Sequence, residues 1–146
     1  MPDPFHLDAF LPYRVAVLAG RLSRDYSRIY HERFGLSRAE WRVVAHLSQE
    51  PAVSVREIHA RVDMDKSKVS RAATRLEQAG YITKRTHSGD KRLVELALTD
   101  KGRAMMAELA PLAQAFQADV LDRLGPDAAG FLDGIARLMA KSTKGT

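Results

Sequence analysis

A mainly α fold with one β-hairpin set between helices follows from three observations on the sequence. Apolar residues recur at helical spacing in stretches from Leu11 to Leu76, at steps of two between Tyr81 and Leu98, and again at helical spacing from Met105 to Leu138. Gly35, Pro51, Gly80 and Gly125 punctuate these stretches at points where a helix is readily stopped. The whole excess of positive charge, +5, lies within residues 64–92, which carry eight Lys/Arg against three Asp/Glu and leave the remainder neutral.

The elements follow in order. Leu11, Val15, Leu18, Leu22, Tyr26 and Ile29 recur at steps of three and four and predict a long amphipathic helix. Gly35 follows Phe34, where a left-handed cap is easily adopted, and Ser37-Arg38-Ala39-Glu40 reads as a capping box opening a second helix that runs to about Leu47. After Pro51, Ser54-Val55-Arg56-Glu57 repeats that pattern before a short third helix with Val55, Ile58 and Val62 inward. Asp65 is the expected side-chain cap of a fourth helix, which Gly80 closes. Tyr81 to His87 and Arg92 to Leu98 are two strands around the turn Ser88-Gly89-Asp90. Thr99 caps a fifth helix with the stripe Met105, Leu109, Leu112, Phe116 and Val120, in which Pro111 should introduce a kink or a local distortion. Gly125-Pro126-Asp127 separates it from a sixth helix marked by Phe131, Ile135 and Leu138, ahead of a Lys/Ser/Thr/Gly tail expected to be disordered.

This order is a winged helix-turn-helix flanked by helical arms. The 146 residues suit one domain, and a small central module cannot cover the apolar stripes of both arms. Packing the arms on a second copy predicts a two-fold homodimer. No apolar run is long enough to span a membrane and no leader-like segment opens the chain, so a cytoplasmic location is expected. With no cysteine, disulfides, thiolate metal sites and thiol-based sensing are excluded. His6, His31, His46, His59 and His87 show no close ligand spacing, so neither a metal nor another cofactor is expected. An enzyme is disfavoured: there is no phosphate loop, Ser-centred elbow or His/carboxylate cluster.

On the fourth helix, Ala72, Ala73 and Leu76 share a face with Val69, while Ser67, Arg71 and Thr74 fall opposite. Small Ser and Thr side chains allow close approach to the floor of a DNA major groove, and Arg71 can donate two hydrogen bonds to a guanine edge. Lys68 and Arg75 lie on one flank, suited to phosphates, and Lys66 and Ser70 complete the expected contact set. Arg85, His87, Ser88, Gly89, Asp90, Lys91 and Arg92 form a basic wing, in which Arg92 is the expected minor-groove residue and Asp90 could orient its guanidinium.

At this point the chain resembles the MarR family of bacterial transcriptional regulators. The resemblance rests on Leu36-Ser37-Arg38-Ala39-Glu40-Trp41-Arg42-Val43-Val44, on Met64 through Arg71 with Arg75-Leu76-Glu77, on Asp90-Lys91-Arg92, and on Leu98-Thr99-Asp100-Lys101-Gly102. It implies a homodimer with interlocking terminal helices, residues 1–35 and 104–146 serving dimerisation and residues 36–103 reading double-stranded DNA. It also implies a pseudo-palindromic operator and repression relieved by a small effector. In that family effectors occupy the crevice between the dimer helices and the DNA-binding module. Tyr13, Arg14, Val17 and Arg21 of the first helix, with Trp41, Arg42 and His46 of the second, are the candidate lining, an aromatic wall with guanidinium groups that suits a planar acid. Two other functions stay open: a constitutive architectural DNA binder with no ligand switch, and a winged helix used for protein or RNA contacts.

Overall fold

The computed structural model describes residues 3–61, 64–86, 89 and 94–140. A 3-10 turn at Leu7–Ala9 precedes α1 (Leu11–Phe34), α2 (Arg38–Leu47), β1 (Val53–Ser54), α3 (Val55–Arg61), α4 (Lys66–Gln78), β2 (Ile82–Thr86), β3 (Val94–Leu98), α5 (Asp100–Leu124) and α6 (Ala128–Met139). The chain divides into two compact units, Met1–Ala110 and Pro111–Thr146.

In the first unit, residue chemistry sets most of the element boundaries. Gly35 ends α1 with φ 67°, a left-handed conformation that a side chain would oppose. The expected capping box opens α2: the Glu40 N–H donates to Ser37 Oγ at 3.2 Å and the Ser37 N–H to Glu40 Oε1 at 2.9 Å. A second box opens α3, where the Glu57 N–H donates to Ser54 Oγ at 3.0 Å and the Ser54 N–H to Glu57 Oε1 at 3.4 Å. Asp65 is a correction. It stands before α4 in extended conformation, but its side chain makes no cap bond. Its carbonyl accepts from the Lys68 and Val69 N–H groups instead, and the residue shares the lining of a concavity with Arg38, Lys68, Arg71 and Arg75.

The hairpin is part of a larger sheet than expected. β2 and β3 pair antiparallel with Ile82 opposite Leu98 and Thr86 opposite Val94, and β1 adds a third strand through Val53 opposite Leu96 and Ser54 opposite Glu95. The strand order is β1-β3-β2. The core gathers Leu36, Val43, Val44 and Leu47 around α2, Ile58 of α3, the inner face of α4, and Ile82, Leu96, Met105 and Leu109. α4 packs against α2 and α3, and β2 lies beside it. Each fully buried aliphatic side chain contributes about 1.5–3 kcal/mol by leaving water, which is what holds the outward face of α4 in a fixed attitude.

α5 runs through Pro111 without interruption. Its part beyond Ala110, a 3-10 turn at Gly125–Asp127 and α6 make up the described part of the second unit, where Phe131, Leu132, Ile135, Leu138 and Met139 are exposed. Val62 and the tail residues 141–146 lie outside the described residues. No helix among the described residues is long and apolar enough to cross a membrane.

Candidate nucleic-acid interface

α4 separates its residues as the helical wheel predicts. Val69, Ala72, Ala73 and Leu76 are each 0% exposed, a spacing of i, i+3, i+4 and i+7 that turns one stripe wholly inward. Lys66, Ser67, Lys68, Arg71, Thr74 and Arg75 are exposed and Ser70 is half-buried, so the seven expected contact residues are brought onto the rest of one short helix. Their surroundings differ. The Arg75 Nε stands 3.8 Å from Glu40 Oε2 of α2, a mostly covered carboxylate whose other oxygen closes the α2 capping box. The Thr74 hydroxyl donates to the Ser70 carbonyl at 3.0 Å and accepts from Lys84 Nζ at 2.8 Å.

Lys84 is absent from the sequence-derived set. On β2 it lies two residues after buried Ile82 and therefore on the same side of the strand, facing α4, with Glu77 Oε1 3.9 Å from its ammonium. That alternation was the available signal. With Arg56 and Lys66 it lines a concavity of about 250 Å3 that also includes Ser70, Thr74 and Val94. Arg85 points to the opposite, exposed side and stands across the ladder from Glu95. Of the remaining wing residues, Gly89 is exposed, and His87, Ser88, Asp90, Lys91 and Arg92 lie outside the described residues.

The candidate effector residues occupy two levels. Trp41 stacks on Tyr30 with ring centroids 5.5 Å apart and an interplanar angle of 13°, and meets Tyr26 edge-on at 5.1 Å. Burial pushes the Tyr26 phenol up to about 12, with Tyr30 adding to the effect, and burial also raises Tyr30 against the pull of the Arg38 and Arg42 charges. His46 is held below its ordinary value by burial first and by the Arg61 charge second. Tyr13, Arg14, Val17 and Arg21 sit on the first half of α1, and a rise of about 1.5 Å per residue puts Tyr13 roughly 20 Å along the axis from Tyr26. Within one chain, Tyr13 and Trp41 are not brought together. A cavity of about 640 Å3 lies elsewhere, lined by Leu47, Pro51, Leu98, Arg103, Met106 and Ala110 among others, and contains none of the candidates. Among the described residues no group of three His, Asp or Glu could hold a metal ion.

Residues 34–93, from the end of α1 to the position just before β3, match the sequence pattern of the MarR family. The helix-turn-helix regulator BilQ of Clostridium symbiosum is 30% identical over 110 residues, covering 68% of this chain and 76% of that protein. The chain belongs to the MarR family. Another relative, the helix-turn-helix transcriptional regulator TtmR of Methylorubrum extorquens, is 31% identical over 109 residues. That alignment takes in 73% of this chain, which spans only 54% of TtmR. Sco3205, a MarR family regulator from Streptomyces coelicolor solved in complex with DNA, superposes with a TM-score of 0.77 at 25% identity, covering 94% of this chain and 89% of that one. α2 to α4 and the three-stranded sheet are thus the winged-helix part of a MarR-family fold, with α4 as the second helix of its helix-turn-helix.

Proposed function

We propose that this MarR-family chain is a sequence-specific, DNA-binding transcriptional regulator, acting as a homodimeric repressor that a small ligand releases from a pseudo-palindromic operator. One observation carries the proposal: the inner stripe of α4 is wholly buried while its outer face presents exposed Lys66, Ser67, Lys68, Arg71 and Thr74. Such a face can enter a major groove without disturbing the core. The DNA in the Sco3205 complex supports DNA as the partner.

In this proposal residues 36–103 read DNA, and residues 1–35 and 104–146 hold two copies together. Arg71 reads a guanine, Ser67, Ser70 and Thr74 permit close approach, and Lys66, Lys68 and Arg75 hold phosphates. Arg85, with His87, Ser88, Gly89, Asp90, Lys91 and Arg92, follows the neighbouring minor groove. Two recognition helices about 34–36 Å apart then meet half-sites about 10–10.5 base pairs apart. The effector is a planar aromatic acid held by residues from the set Tyr13, Arg14, Val17, Arg21, Trp41, Arg42 and His46, contributed by both copies.

The test is fluorescence anisotropy across a salt series, comparing the duplex upstream of the chain's own gene with a scrambled one. Preferential binding to a near-palindrome is expected. Arg71→Ala should cost about 1–3 kcal/mol and relax preference at one base per half-site. Lys68→Ala should weaken both duplexes alike and flatten the salt dependence by about one per subunit. Equal, steeply salt-dependent binding to both duplexes would replace this proposal with a constitutive architectural binder.

A further inference from the structure

We infer that Arg38, at the start of α2 and outside the basic stretch 64–92, is a phosphate-binding residue that shares one DNA backbone phosphodiester with Lys68 of α4. The inference rests on the DNA-binding proposal above and adds to it a contact from a second helix. A concavity of about 430 Å3 opens between the two helices, lined by Ser37 and Arg38 on one side and Asp65, Lys68, Arg71 and Arg75 on the other. Four cations and a single carboxylate line it, so the space is electropositive and large enough to admit a backbone phosphate.

The four cations are not equivalent. Arg75 is drawn towards Glu40. Arg38, Lys68 and Arg71 are exposed and make no ion pair among the described residues. Like charges gathered around one concavity repel one another, and an anion seated between them relieves that repulsion. Asp65 at the rim limits the net charge, which favours the single negative charge of a phosphodiester.

Arg38 is also well placed to fix α4 on DNA. It is the first residue of α2, the reciprocal Ser37 and Glu40 bonds set where that helix begins, and α2 packs directly on α4. A phosphate gripped from both helices holds the depth and tilt of the reading face while carrying no sequence information. With Arg38 and Lys68 holding the phosphate, the Arg71 guanidinium is left for the base within the groove.

The experiment measures affinity of the full chain for the near-palindromic and scrambled duplexes over a salt series. Arg38→Ala should reduce the slope of log affinity against log salt by about 0.9 per subunit on both duplexes and leave their affinity ratio unchanged. Arg38→Lys should keep the wild-type slope, because a phosphate requires the charge. Circular dichroism checks folding, and Arg38→Gln supplies the uncharged comparison should the alanine variant misfold. A wild-type slope in both uncharged variants, or a loss confined to the near-palindrome, overturns the inference and leaves the DNA-binding proposal standing. Failure of the wild-type chain to bind either duplex overturns both.

Discussion

His46 on α2 is half-buried, and burial, the Arg61 charge and to a smaller degree Arg42 hold its imidazole below the usual histidine range, with Glu50 opposing them. The folded chain therefore accepts this proton less readily than the unfolded chain. Stability from this residue is present above about pH 6.5 and falls as pH drops through the depressed folded value. Wild type should accordingly lose more of its urea midpoint than His46→Gln between about pH 7.5 and about pH 5.5. Equal losses would assign the acid sensitivity to other groups. At this scale the two faces of α4 were legible because burial on a helix follows from spacing alone. The pairings Arg75 with Glu40 and Lys84 with Thr74 were not, since each joins residues on different elements whose approach is decided by packing. The neighbourhood of Arg38 was hidden for the same reason.

Where β3 passes into α5, one threonine closes three separate ends. The Thr99 hydroxyl donates to the Gly80 carbonyl at 2.6 Å and accepts from the Gly102 N–H at 3.1 Å, while the Thr99 N–H donates to the Tyr81 carbonyl at 3.0 Å. Gly102 lies so close to the Tyr81 carbonyl that an added Cβ would overlap its oxygen and press on Leu98. Gly102→Ala should therefore destabilise the chain by about 3 kcal/mol, the upper end for overpacking, measured as a shift in urea midpoint. A loss below about 1 kcal/mol would mean that the junction relaxes without strain. The helix starts at Ser37, Ser54 and Thr99 were legible because a cap is a local motif. β1 was not: two residues cannot display a period of two, and only the partners Leu96 and Glu95 make them a strand. Asp65 had the right residue type and extended backbone for a cap, yet only its carbonyl bonds the first turn of α4, a choice of side-chain rotamer that residue type does not decide.

At the scale of the whole molecule, the exposed side chains at both ends ask for a partner. On the first half of α1, Leu11 is 58% and Val15 52% exposed, and on α6 Leu138 is 76% exposed. Exposed apolar faces of this kind are what a second copy would cover in the proposed homodimer. Light scattering coupled to gel filtration should give twice the chain mass, and Phe131→Asp combined with Ile135→Asp should bring it to that of one chain. A wild-type mass of one chain would remove the homodimer. The stripes themselves were legible in the sequence. What covers those stripes was not, because one sequence records only its own side of any contact.

The aromatic stack at the α1 and α2 junction gives the protein an optical reporter of its own. Trp41 is the sole tryptophan of the chain, lying flat on Tyr30 with Tyr26 at its edge. Ultraviolet emission at tryptophan wavelengths consequently arises from this one point, fed by excitation from two tyrosines in contact with it. Any ligand or DNA that shifts the long first helix against the reading module changes the colour or brightness of that light, and an unlabelled sample reveals it.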